Sequence, residues 1–247
     1  MGVLARAREK LRALDVLPSP NIWHWPETYE VENRAQDVGD EIWRVLGELC
    51  DWSGRDVVDV GCGDGFHLLR FAATARQVTG VEPHEPLVPR ARERVAGLSN
   101  VDVRVGSAQR LPLPDGSCDL VHARTAYFFG PSCQPGLREA DRVLRPGGAL
   151  AIVDLDATVR PYGDWLRADL PTYHPAEIDT FFERAGFACR RVCATWRFTD
   201  RASLEAVLRI EFSARVAARA VAEVSGLSFP VGYRILVRRK PPGLIVR

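Results

Sequence analysis

Between residues 56 and 156 the chain alternates two kinds of pattern. Short, nearly continuous apolar runs are separated by stretches whose apolar positions recur every three or four residues. The first kind predicts strands at Asp56–Val60, Gln77–Val81, Val101–Val105, Asp119–His122 and Ala149–Asp154. The second predicts helices over Ile42–Leu49, Phe66–Ala75, Leu87–Ala96 and Gly136–Val143, the last stopped by the breaker Arg145-Pro146-Gly147-Gly148. Apolar strands alternating with helices imply an α/β fold whose parallel sheet is covered on both faces. Right-handed crossovers then place a ligand at the carboxyl ends of the strands, where the strand order reverses.

After Asp156 the pattern changes. His174-Pro175 leads into a helix ending near Gly186, followed by a long strand Cys189–Arg197. Asp200 is placed to cap a helical stretch from Ala202 to about Val224, with a break near Ser213. Tyr233–Arg238 alternates as a strand does, and a Pro-Pro-Gly tail follows. Without a repeat or low-complexity linker, residues 1–247 read as one domain. Its parts are an extension over 1–40, a core over 41–156, and a C-terminal half over 157–247 with a helical insertion at about 200–228.

Composition narrows the partners. The 33 basic and 32 acidic side chains nearly cancel, and lysine occurs only at Lys10 and Lys240. Such a balance gives no field that would gather nucleic acid. Six cysteines show no paired C-x-x-C spacing, and several lie in or beside apolar strands, where a free thiol acts as a small hydrophobe. The opening MGVLARAREKLRAL interleaves charges with apolar residues, unlike a secretory leader. No run reaches the roughly 20 apolar residues that a bilayer span needs. The expectation is a cytoplasmic protein without membrane or nucleic-acid partners.

The chemistry concentrates at VVDVGCGDGFH, where a strand ends near Asp59 and a loop carries glycines at 61, 63 and 65. Glycine lets backbone approach a ligand closely and accepts positive φ. Dinucleotide loops set two residues between their last two glycines to seat a pyrophosphate, whereas here only Asp64 intervenes. An acid two positions before the first glycine disfavours phosphate and favours an ammonium group. Glu82 ends the second strand about 20 residues on, where an acid can take both ribose hydroxyls. Ser107, Ala108 and Gln109 follow the third strand, where backbone and a small polar side chain can meet an adenine edge.

Taken in order, VVDVGCGDGFH, VTGVEP, GSAQRLPLPDGSCDLVHAR and LREADRVLRPGGALAIVDLD resemble a class I S-adenosylmethionine-dependent methyltransferase over about Asp56 to Asp156. The resemblance implies a Rossmann-like sheet of seven strands, mostly parallel with the last antiparallel, flanked by helices. It implies S-adenosyl-L-methionine as cofactor. By position, Asp59 and the loop residues Gly61, Cys62, Gly63 and Gly65 would face the methionine end. Glu82, with neighbouring Pro83, would hold the ribose, and Ser107, Ala108 and Gln109 the adenine. Ala123 and Arg124 correspond to the loop that meets the α-amino group. Many members carry aspartate where Ser107 stands, so the adenine amine here would be held more weakly or by backbone alone. The family's last two strands are usually joined by a short hairpin; here some 30 residues separate Arg197 from Tyr233.

The acceptor side offers three catalytic candidates. His24 lies in Trp23-His24-Trp25-Pro26, in a segment that through Tyr29 either closes over the cofactor as a lid, with Tyr29 as a cofactor contact, or staples the extension down. Tyr127, in HARTAYFFG after the fourth strand, either borders the transferable methyl or serves the fold. Asp154 shares a strand face with Asp156, where carboxylates can orient an acceptor, bind a metal or cap a helix. No metal is assigned. His122 reads as a core histidine, and His67 and His174 as helix starts.

Several subclasses are disfavoured. The loop after the fourth strand lacks the Pro-Pro-aromatic motif of nucleic-acid amino methyltransferases and the paired glutamates of arginine methyltransferases. A small-molecule acceptor remains, handled by a monomer or a homodimer. Two rivals stand beside it: a cofactor-binding protein without transferase activity, and a nicotinamide-dependent oxidoreductase.

Overall fold

The computed structural model describes Val16 and residues 18–242. The opening MGVLARAREKLRAL and the tail beyond Pro242 lie outside the described residues. The elements are α1 (Pro20–His24), α2 (Pro26–Ala35), α3 (Glu41–Leu49), β1 (Asp56–Val60), α4 (Leu68–Ala72), β2 (Gln77–Glu82), α5 (Leu87–Val95), β3 (Val101–Val105) and β4 (Cys118–Arg124). There follow α6 (Gln134–Val143), β5 (Leu144–Asp156), α7 (Tyr162–Asp169), α8 (Pro175–Arg184), β6 (Ala188–Arg197), α9 (Arg201–Glu211), α10 (Ala214–Glu223) and β7 (Ser228–Arg239). Among the described residues the seven strands form one sheet in the order β3-β2-β1-β4-β5-β7-β6, with β7 antiparallel to its neighbours. The order reverses between β1 and β4, so the crevice for a ligand opens at their carboxyl ends.

By contacts the chain divides into two compact units. Among the described residues, the first holds Leu46–Asp154, Phe181–Cys189 and residues 235–242; the second holds residues 16 and 18–45, Leu155–Thr180 and Arg190–Arg234. In the first, β1 and β2 pair in register from Asp56↔Gln77 to Val60↔Val81. Val58, Val78, Val81, Val121, Leu150 and Val153 are almost wholly buried, as strands covered on both faces must be. Arg145 ties the amino ends of β1 and β4 by reaching Asp56 at 2.8 Å and Asp119 at 2.8 Å. Arg76 joins at 2.6 Å and is the main cause of the Asp56 carboxyl lying below its usual range.

Two expectations shift. The helix expected over Phe66–Ala75 is α4 alone, because Leu68 and Arg70 donate to carbonyls only three residues back, at 3.1 Å each. The turn out of the glycine loop consumes its first residues. The breaker at residues 145–148 does end α6, yet it lies inside β5. Gly147 takes φ +82°, and the β4–β5 register jumps from Cys118↔Leu144 to Leu120↔Ala149. The extra residues bulge out of the ladder, and the strand resumes.

The second unit packs Tyr162, Trp165, Trp196, Phe212 and Phe229 against one another, with ring centroids 5.2–6.4 Å apart. Asp200 caps α9, accepting from Ser203 N at 2.7 Å. The predicted break at Ser213 falls between α9 and α10, where the Ser213 N–H and hydroxyl both donate to Asp169. Three helices escape the pattern: α7, and α1 and α2 on either side of Trp25, the latter two each opened by a proline in the first turn.

Candidate ligand-binding site

The loop after β1 is built on positive φ at every glycine: +73° at Gly61, +58° at Gly63 and +85° at Gly65. A side chain at Gly61 would put its Cβ 2.6 Å from Ala126 Cβ, so this glycine is needed for space as well as conformation. Gly61 N and Cys62 N donate to Val81 O at 2.8 and 3.2 Å, drawing the loop over the end of β2. Gly63 N donates to Glu82 Oε2 at 2.9 Å, and His84 N to Glu82 Oε1 at 2.9 Å. Glu82 is buried, and desolvation raises its pKa despite those two bonds. Pro83 follows it, half-buried.

Cys62 turns its thiol inward, beneath the loop, where a Cβ on Gly80 would lie 2.8 Å from its sulfur. Burial pushes that thiol well above its ordinary pKa, so only the backbone of Cys62 is suited to a ligand. Asp64 is engaged by Arg94, which donates to its carboxylate at 2.7 Å and its carbonyl at 3.0 Å while lying over the Phe66 ring. Of the two acids in the loop region, Asp64 is therefore committed to holding the loop.

Asp59 lies beside His122, its register partner on β4. His122 Nδ1 is 2.7 Å from Asp59 Oδ1, and the two side chains are 1% and 5% exposed. Phe71 sets its ring against the imidazole, with centroids 4.9 Å apart. The sequence marks His122 as core; its pairing with Asp59 follows only from β1 and β4 being neighbours. His67, at the start of α4, is also near Arg124, and burial followed by the charges of Arg124, His122 and Arg94 holds its pKa well below the ordinary value.

Beyond β3, Gly106 N donates to Glu82 O at 3.2 Å, and Ser107 and Arg110 exchange backbone bonds of 3.3 and 3.0 Å across a turn. Ala108 is buried and Gln109 half-buried within it. Ala123 and Arg124, both buried, end β4. The next residues are strained: Thr125 has φ +45° and Tyr127 φ +56°. Tyr127 is 8% exposed, with its ring against Phe128 and over Gly136 of α6, where no side chain could fit. Asp59, the glycine loop, Glu82, Pro83, residues 107–109, Ala123 and Arg124 thus all occur at the carboxyl ends of four adjacent parallel strands.

The other expected residues are placed elsewhere or differently. His24 ends α1 and is exposed; Tyr29, on α2, is half-buried; both belong to the second unit. Asp154 is buried on β5 in the first unit. Asp156, in the second, accepts from Thr158 N at 2.9 Å, Thr158 Oγ1 at 2.7 Å and Arg191 Nε at 2.9 Å, so its carboxylate closes a turn and an ion pair.

Residues 58–152, from β1 into β5, match the family described as "Methyltransferase domain". The 27-O-demethylrifamycin SV methyltransferase of Amycolatopsis mediterranei is 37% identical over 164 residues, 63% of this chain and 58% of that protein. A probable S-adenosylmethionine-dependent methyltransferase of Mycolicibacterium smegmatis is 31% identical over 172 residues, 67% of this chain and 63% of that protein. The chain spans less than two thirds of the length of these relatives. Among solved structures, the [4+2]-cyclase SpnF is similar with a TM-score of 0.57 and 26% identity, covering 83% of this chain and 82% of that one.

Proposed function

Residues 58–152 form a class I S-adenosylmethionine-dependent methyltransferase domain, and from that premise we propose that the chain transfers the methyl group of S-adenosylmethionine to a small-molecule acceptor. The observation that carries the reading is the junction of loop and acid. A loop with positive φ at each of its three glycines is bonded through Gly63 to Glu82, beside a second buried acid, Asp59. The residues fit such a cofactor. Asp59 and the backbone of residues 61–65 would hold the ammonium end, Glu82 the ribose, and residues 107–109 the adenine. When bound, the cofactor supplies a methyl already activated on a sulfonium.

What remains for the protein is alignment and exclusion of water. Arg124 and residues 125–127, strained at Thr125 and Tyr127, would border the transferred group, with Tyr127 held against α6. The small-molecule acceptor is supported by the substrate named for the Amycolatopsis relative. The same reading makes the chain one catalytic domain, cytoplasmic, acting as a monomer or homodimer.

A second reading is favoured by the likeness to a protein named as a cyclase: the chain would hold the cofactor without transferring its methyl. Calorimetry with S-adenosylmethionine, S-adenosylhomocysteine and NADH, followed by a search for S-adenosylhomocysteine release over a panel of small phenols, hydroxyls and amines, separates the readings. Binding with acceptor-dependent release supports transfer. Binding without release over the panel favours the second reading, and binding of NADH alone sinks both.

A further inference from the structure

Asp59 and His122 form a buried pair whose chemistry the methyl transfer does not itself require. They are opposite one another on adjacent parallel strands, so the sheet register brings them together. One carboxylate oxygen, Oδ1, lies 2.7 Å from Nδ1, and that contact leaves Oδ2 to other donors. An ionised carboxylate only accepts, so in this contact Nδ1 is assigned as the donor. Phe71, packed on the imidazole at 4.9 Å, keeps the ring from turning. Unheld, the carboxylate would be free to rotate toward the glycine-loop amides.

We propose that His122 is a positioning residue: by anchoring Oδ1 of Asp59 it aims Oδ2 at the ammonium group of the cofactor's amino-acid end. The inference rests on the reading of this site as one for S-adenosylmethionine. It makes a distinction that a purely structural histidine would not. Loss of the anchor weakens ligands that carry the ammonium and spares those that lack it.

The test is calorimetry on the full chain with two probes, S-adenosylhomocysteine and 5′-methylthioadenosine, which is a thionucleoside without the amino-acid end. His122→Phe is expected to weaken S-adenosylhomocysteine about 10- to 100-fold, the loss of a charge-assisted bond, and to leave 5′-methylthioadenosine within about twofold. His122→Asn, which keeps a donor where Nδ1 stood, restores most of the affinity. Where the phenylalanine variant does not fold, His122→Asn and His122→Gln decide. Glutamine carries its donor farther out and should lose S-adenosylhomocysteine selectively. Equal loss of both probes, or no loss of either, overturns the inference while leaving the site reading intact. A wild-type protein that binds neither probe overturns the site reading first, and this inference with it.

Discussion

Replacing Gly61 with alanine separates two reasons for a glycine. Its φ of +73° costs an L-residue about 1–2 kcal/mol. A Cβ there would also stand 2.6 Å from Ala126 Cβ, well inside van der Waals contact. Relief requires a backbone shift in a segment already strained at Thr125 and Tyr127, and overpacking of this kind adds about 1–3 kcal/mol. Gly54 supplies the control: its φ is +67°, but a Cβ there meets nothing within 4 Å. Gly54→Ala should therefore cost about 1–2 kcal/mol and Gly61→Ala about 2–5 kcal/mol. For a chain of this size each kcal/mol moves Tm by roughly 2–4 °C. Urea denaturation gives the free energies, and calorimetry with S-adenosylhomocysteine gives the binding. Gly61→Ala should also weaken that ligand at least about tenfold, equivalent to roughly 1.4 kcal/mol, while Gly54→Ala leaves it unchanged. If the two variants lose the same stability, the clash with Ala126 does not matter and the reasoning fails.

Glu82→Ala should weaken S-adenosylhomocysteine and 5′-methylthioadenosine alike, by about tenfold or more, because the ribose is common to both; calorimetry showing a loss confined to one probe would refute the ribose assignment. His67 gives a pH prediction. Its folded pKa is depressed, first by burial and then by Arg124, His122 and Arg94. The unfolded chain thus takes a proton that the folded chain refuses, and stability contributed by the neutral imidazole is present above about pH 6.5 and lost as pH falls below it. Thermal unfolding between about pH 7.5 and 5.5, which brackets that value, should show a flatter decline in Tm for His67→Gln than for the wild type. A parallel decline would show that His67 is not the group responsible.

Much of this site is legible in sequence because its parts obey local rules. Strands β1 to β4 are apolar runs, and their expected ends agree with the structure to within two residues. The glycines at 61, 63 and 65 announce a backbone conformation that other residues avoid. Asp200 and Ser213 mark a cap and a break for the same reason, since each acts on backbone within a few positions or offers a turn signal. Helices α1 and α2 escape notice because Pro26 interrupts the pattern between them, and α7 because eight residues carry too few turns for a clear period.

The alternation of strands and helices, the glycine turn and the acid at the end of β2 can be read from the residues alone, because each rests on periodicity or on one residue's φ. Which acid does what depends on how the chain folds. Asp59 and Asp64 are near neighbours in the chain and chemically alike, yet one is paired with His122 across the sheet and the other is taken by Arg94 from α5. Likewise the Arg-Pro-Gly-Gly breaker became a bulge within β5 while Arg145 reached Asp56 and Asp119. The first of those partners lies 89 residues away along the chain. Side-chain roles of this kind are set by strand order and register, and neither is written in any local pattern.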